Sequence, residues 1–229
     1  MIIKRRANER GLSNHGWLNS WHSFSFANYY DPKHMGVSAL RVINDDRVTA
    51  GAGFGMHSHQ DMEIISYIKS GTIEHEDSMG NILQLTAGEF QLMSAGSGIT
   101  HSEYNPSSLS DLEFLQIWIQ PDVYGIEPGY QQKSFPVTDG LQLIASPDAR
   151  NNSFLIHQDT FLYRILQSEQ RTLLIPLAES RCIYLYTIRG TISHDSVTLN
   201  SGDGAIIKNI NEIQLHCSIG TEALLFDLP

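Results

Sequence analysis

Two pairs of side chains in this chain have the types and spacing to hold a metal ion: His57 with His59, and His101 with Glu103. One residue separates the members of each pair. The first pair follows a glycine-rich run, Gly51-Ala52-Gly53-Phe54-Gly55, and precedes a strand-like run over residues 64–69; the second lies in another strand-like run, 99–104. Alternate side chains of a strand share a face and stand about 7 Å apart, so each pair projects to one side. Strands that bring the pairs together would converge three imidazoles and one carboxylate, with up to two positions left on a six-coordinate ion. Mixed nitrogen and oxygen donors with open positions suit iron(II), manganese(II), nickel(II), cobalt(II) or copper(II). Tetrahedral zinc would be nearly closed by the same four donors. Glu63 shares the face of His57 and His59 by parity, so it stays open as an alternative carboxylate.

The elements that must position these residues are short strands. The 229-residue chain is 41% hydrophobic and carries a formal charge of −10. That composition suits a globular protein and argues against a broad nucleic-acid surface, though an acidic protein can still meet a protein partner. The basic start, Met1 to Arg10, has no apolar segment after it and does not read as a secretory signal. No apolar run has the roughly 20 residues of a spanning helix. Two cysteines, Cys182 and Cys217, are too few for a disulfide framework, and a reducing cytoplasm is the expected compartment.

Residues 1–36 form an aromatic segment holding Trp17, Trp21, Phe24, Phe26, Tyr29 and Tyr30, closed by Asp31-Pro32. Strand-length runs follow at 39–43, 62–69, 71–76, 82–85, 90–93, 99–104 and 112–119. Residues 120–147 are rich in proline and glycine and read as a connection. A second β-rich half runs from 154 to 228. The two halves are related: residues 67–75 (Tyr67 to His75) match 186–194 (Tyr186 to His194), and 85–89 match 199–203 in the same order. The expected fold is therefore all-β, with two antiparallel barrels of one design, residues 1–135 and 136–229. Carrying the repeat offsets across puts the His57 and His59 positions on Pro176 and Ala178, and the His101 and Glu103 positions on Leu215 and Cys217. The second barrel is thus expected to hold no metal, with both cysteines as small apolar filler.

The residues around the two pairs also carry a resemblance. Gly51-x5-His57-x-His59-x3-Glu63-x7-Gly71 and Gly88-x5-Ser94-x-Gly96-x4-His101-x3-Asn105 resemble the two cupin motifs, with Ser94 where cupins usually have proline and extra residues before Gly71 and His101. Trp21-His22-Ser23-Phe24-Ser25-Phe26-Ala27-Asn28-Tyr29-Tyr30-Asp31-Pro32, His75-x-Asp77-Ser78-x-Gly80-Asn81, His101-Ser102-Glu103 and Ser146-Pro147-Asp148-Ala149-Arg150 are similar to the pirin family. Within it, the chain looks closest to bacterial pirin-like proteins assigned as quercetin 2,3-dioxygenases. The resemblance implies a bicupin of two jelly-roll domains, the first binding one divalent metal through His57, His59, His101 and Glu103. Iron(II) ranks first, and manganese, nickel, cobalt, copper or zinc could replace it. Glu63, the ligand of generic cupins, becomes a neighbour of the site.

The activity implied is ring cleavage of a flavonol by dioxygen with release of carbon monoxide, Glu103 serving as general base. The alternative is a non-enzymatic, iron-binding pirin that docks on a regulatory protein. Several residues are expected to do less. His75 reads as a hairpin histidine, and His15, His22 and the stripe Trp17, Trp21, Phe24 and Phe26 read as packing. Asn105 begins a turn, and Arg41 is a partner for an acid.

Overall fold

The computed structural model describes residues 1–178 and 180–229. Among them there is no α-helix; the chain runs through 22 strands and two short 3-10 turns. They form two compact units. One holds Gly11–Gly36 and Leu40–Phe135, the other Met1–Arg10, Val37–Ala39 and Pro136–Pro229. A division at 135/136 keeps the first ten residues with the N-terminal half, whereas in the structure they pack with the C-terminal half.

Each unit is a pair of sheets. In the first, a seven-stranded sheet has the order Gly129–Ser134, Glu89–Ser94, Glu63–Ser70, Leu112–Ile119, Leu40–Val48, Leu18–His22, Gly11–Asn14. Its four-stranded partner has the order Gly53–His59, Ile99–Tyr104, Thr72–Asp77, Ile82–Thr86. The second unit repeats this plan. Its seven-stranded sheet runs Ile2–Arg5, Gly204–Lys208, Cys182–Arg189, Thr221–Leu228, Phe161–Gln167, Gly140–Ser146, Phe154–Leu155, and its four-stranded sheet Arg171–Pro176, Glu212–Cys217, Thr191–His194, Val197–Asn200. The related segments 67–75 and 186–194 occupy equivalent places. Each unit is two separate sheets rather than a barrel closed by hydrogen bonds. Residues 120–147 are more regular than their composition suggests, because they supply Gly129–Ser134 and Gly140–Ser146.

The edge position that Gly129–Ser134 fills in the first unit is filled by Ile2–Arg5 in the second, paired antiparallel with Gly204–Lys208. Lys4 bridges Asp203 at 2.7 Å, and the Ala7 amide donates to the same carboxylate at 2.7 Å. These contacts fix the basic N-terminus to the second unit.

Period-two patterning puts an apolar core between the sheets of each unit. In the second unit Ile183, Leu185, Ala205, Ile207, Ala223 and Leu225 meet Ile175, Ile192, Leu199, Ile213, Leu215 and Cys217. The strand register there pairs Leu215 with Leu173 and Ile213 with Ile175, where the first unit pairs His101 with His57 and Ile99 with His59. The counterparts of His57 and His59 are thus Leu173 and Ile175, three residues before the Pro176 and Ala178 of the repeat offset. Gaps in a repeat shift an offset; hydrogen-bond register does not. Cys182 and Cys217 are both free thiols, the second buried in the core.

In the first unit the inner face of the large sheet is not uniformly apolar. A polar row crosses five strands in register: His22 beside Asn44, Asn44 beside Gln116, Gln116 beside Ser66, and Ser66 beside Gln91. On one side lie Leu18, Val48, Ile68, Leu112 and Phe114, packed on Ile73 and Leu85 of the small sheet. On the other lie Ile64, Met93, Ala95 and Ile99. Buried polar side chains are tolerated only with partners, and the small sheet supplies some of them.

Candidate metal centre and its cavity

Strand Gly53–His59 pairs with Ile99–Tyr104, which pairs in turn with Thr72–Asp77. His101 has His57 on one side and Asp77 on the other; Glu103 has Phe54 on one side and His75 on the other. Between those rows Gly53–His59 steps from His57 to Phe54 while its partner steps from His101 to Glu103, so one extra residue bulges. The bulge carries Gly55, whose carbonyl accepts the Nδ1–H of His57 at 2.8 Å. That bond places a proton on Nδ1 and turns Nε2 toward a metal as the donor atom. Gly53 sits where the two backbones come close: a Cβ there would run into the Glu103 carbonyl and the Tyr104 Cα.

The result is a cluster. Ring centroids of His57 and His59 are 4.8 Å apart, His57 and His101 4.5 Å, and His59 and His101 4.9 Å. One ligand atom from each lies within 4.8 Å of the others. A second group of three meets the same limit: His75, His101 and Glu103, all buried. His101 belongs to both. Both of its ring nitrogens are shielded from water and have no hydrogen-bond partner among the described residues, although an unpartnered buried polar atom is costly. Burial, and then the neighbouring imidazoles of His57, His59 and His75, push its pKa down to about 2. Burial and His57 push His59 down to about 4. These rings are therefore neutral donors near neutral pH, and the residues present fit a divalent ion.

Glu103 stands on the polar row. Ser66 donates to its Oε1 at 3.3 Å, Gln91 to the same oxygen at 3.3 Å, and Gln116 to Oε2 at 3.5 Å. Those donors favour the carboxylate, but burial outweighs them and raises its pKa to about 7. Gln91 also reaches His75 Nδ1 at 3.4 Å and accepts from the Tyr130 hydroxyl at 3.0 Å. His75 Nε2 meets Asp77 at 3.4 Å. Burial pushes Asp77 up, yet the Asn81 side chain and the Asn81 and Met79 amides bring it below its usual value. His75 does lie on the hairpin of Thr72–Asp77 and Ile82–Thr86, but buried beside His101 and Glu103. The signal for it was the His75-x-Asp77 spacing, the same alternation as in the other pairs, one hairpin away.

The sites read as alternatives or as packing also fall into place. Glu63 is buried in the large sheet, where Ser94 donates to it at 2.9 Å. Asn105 is a turn anchor, its Nδ2 donating to the Val48, Thr49 and Ser110 carbonyls. Arg41 holds the Gln120 side chain rather than an acid. Phe24 is buried.

Trp17, Phe26, His15 and His22 do more than pack. With Phe54, Trp118, His57 and His59 they line a cavity of about 540 Å³. Its walls are interlocked rings: Trp17 on Phe54 at 5.1 Å, Phe26 on Trp118 at 5.3 Å and Trp118 on His59 at 4.9 Å, all edge-on. Ser20, Asn44, Asp46 and Gln116 give one wall polar groups. Asp46 is buried, and burial, opposed by a Ser20 hydrogen bond, raises its pKa to about 7.

Residues 4–119 match the family model described as Pirin, and residues 143–228 match that described as Quercetinase C-terminal cupin domain. A protein from Escherichia coli named quercetin 2,3-dioxygenase is 54% identical over 231 residues, spanning 100% of this chain and 99% of its own. The pirin-like protein YhaK of the same organism is 33% identical over 234 residues, with 100% of both chains covered. The crystal structure of the bacterial pirin YhhW from Escherichia coli, in complex with nickel(II), superposes with a TM-score of 0.97 at 52% identity over 100% of this chain and 99% of that one. With its cupin-type sheets, its clustered histidines and these full-length matches, the chain belongs to the pirin family.

Proposed function

We propose that this pirin is a metal-dependent dioxygenase that opens the ring of a flavonol and releases carbon monoxide. The observation that carries the reading is His101, whose buried ring nitrogens lack partners beside two further imidazoles and an aromatic cavity. In this reading His57, His59, His101 and Glu103 hold one divalent ion. Iron(II) is the first candidate and nickel(II), bound by the Escherichia coli relative, the second. The bound ion supplies Lewis acidity toward the 3-hydroxyl oxygen of the substrate and toward dioxygen.

The protein's own groups do the rest. Glu103 takes the 3-hydroxyl proton as general base. Ser66, Gln91 and Gln116 keep its two oxygens oriented for that transfer. Phe54, Phe26, Trp17 and Trp118 hold a flat ligand and keep water from the reacting carbons. The N-terminal unit carries the reaction, and the second unit's apolar interior holds no metal. The two free thiols fit a reducing cytoplasm.

The test is metal-loaded protein incubated with quercetin, with and without dioxygen, while the flavonol absorption band and headspace carbon monoxide are followed. Oxygen-dependent bleaching that disappears in His57→Ala and Glu103→Ala is expected. Absence of turnover with iron, manganese, cobalt, nickel and copper alike would overturn the reading in favour of a protein-docking pirin.

A further inference from the structure

Asp46 and Trp118 both line the cavity, and each has a buried polar atom with no hydrogen-bond partner among the described residues: Oδ1 of Asp46 and Nε1 of Trp118. They stand on adjacent strands of the large sheet, Leu40–Val48 and Leu112–Ile119. Asp46 lies next to the polar row, paired in register with Ser20 and Phe114. Its neighbours have their needs met locally. Asn44 Oδ1 accepts from His22 Nδ1 at 2.7 Å, His22 Nε2 meets Ser13 at 3.0 Å, and Gln116 donates to Glu103. Asp46 differs from Glu103 in that respect, since three side chains serve Glu103 and one Asp46 oxygen is left with none. A buried oxygen and a buried N–H without partners are each costly, and the need is normally met by water or ligand.

We propose that Asp46 and Trp118 are substrate-binding residues: the Asp46 carboxyl bonds a ring hydroxyl of a polyhydroxylated aromatic ligand, and the Trp118 indole N–H donates to a second oxygen on the ligand's central ring. The inference rests on the proposed flavonol reading for the ligand class and adds the groups that select it. A carboxyl that neither repels nor requires a charge in this apolar setting suits a phenol, which can both donate and accept. An indole N–H can only donate, so its partner is a carbonyl or hydroxyl oxygen. An apolar cavity with two such points discriminates by hydroxyl pattern, because a ligand lacking the matching group leaves the carboxyl unpaired again.

The experiment is calorimetric titration under nitrogen of metal-loaded protein with quercetin and with 3-hydroxyflavone, which lacks the outer hydroxyls. Asp46→Ala is expected to weaken quercetin about 10-fold or more and to leave 3-hydroxyflavone within about twofold. Asp46→Asn, close to isosteric, guards against a folding loss and should fall between. Trp118→Phe is expected to weaken both ligands, since both keep the central oxygens. Equal effects of Asp46→Ala on the two ligands, or none on either, overturn the assignment. Quercetin bound but not oxidised by the parent protein sinks the dioxygenase reading and leaves Asp46 standing. Quercetin oxidised by the parent, with Asp46→Ala binding unchanged, does the reverse. Failure of the parent to bind either ligand overturns both.

Discussion

Ser94 Oγ donates to Glu63 Oε2 at 2.9 Å, and the two residues face each other in the register of the large sheet. Glu63 is thereby held away from the small sheet that carries His57, His59 and His101. Strand Gly53–His59 belongs to one sheet and Glu63–Ser70 to the other. Asp61, at φ 49, lies in the turn between them. Parity from His59 to Glu63 does not survive that change of sheet. Glu103→Gln is accordingly expected to lower metal content at least about 10-fold in affinity, and Glu63→Gln less than about twofold. Elemental analysis and metal titration of the folded variants measure the difference, and equal losses would reassign the carboxylate.

His101 is common to two ligand groups, one with His57 and His59 and one with His75 and Glu103. The proposed site uses both imidazoles of the first. His57→Ala and His101→Ala should therefore both abolish metal-induced thermal stabilisation, whereas His75→Ala retains it. Scanning calorimetry with and without added nickel(II) checks this. Retention in His57→Ala with loss in His75→Ala would place the ion in the deeper group.

The bulge opposite His101 and Glu103 depends on Gly53. Gly53→Ala would drive a Cβ into backbone atoms of Glu103 and Tyr104, and neither can move without shifting the site strand. A loss of about 1–3 kcal/mol in urea unfolding is expected, together with weaker metal binding. Gly55→Ala is the control, because its Cβ would meet only the Tyr104 hydroxyl at 3.9 Å. Similar behaviour of both variants would remove close backbone approach as the reason for Gly53.

Asp46 sets a pH dependence on the metal-free protein. Its ordinary value is 3.8, and burial raises it to about 7 in the folded chain. Between those values the unfolded chain has released a proton that the folded chain keeps, so stability falls as pH rises through the window. The contribution is whole below 3.8 and gone above about 7. Around the group stand the Ser20 hydroxyl, Asp45 and Glu103, which raise it further in the case of the acids, and Lys69, which lowers it. Asp46→Asn is expected to raise the urea midpoint relative to the parent at pH 8 and to leave it near the parent at pH 4. The parent-to-variant difference cancels most of the Glu103 titration, which spans the same range. A difference that is constant with pH would rule Asp46 out as its source.

Much of this was legible in the residues. Alternation in 99–104 marks a strand whose two faces are buried unequally, and the related hairpins after Tyr67 and Tyr186 mark two units of one plan. His57, His59 and His101 come together as their spacing suggests. Residues that act through register rather than spacing were harder to see. His75 joins the cluster because Thr72–Asp77 lies beside Ile99–Tyr104, and no local pattern encodes which strands are neighbours. Phe54 faces inward with His57 only because a bulge breaks the period of two. Trp17 and Phe26 read as packing because an aromatic stripe looks the same whether it fills a core or walls a cavity. The strand Ile2–Arg5 was missed for another reason: four residues, two of them basic, carry too little pattern to announce an edge strand.

That short strand also orders the molecule in time. Lys4 and its Thr198 acceptor are 194 positions apart, so this strand finds its place only after a segment made much later. The unit built from Gly11–Gly36 and Leu40–Phe135 can complete both of its sheets while the leading ten residues still wait for Gly204–Lys208 to be made. The unit that carries the clustered histidines can thus form first, and Ile2–Arg5 stays an unpaired strand until Gly204–Lys208 is folded.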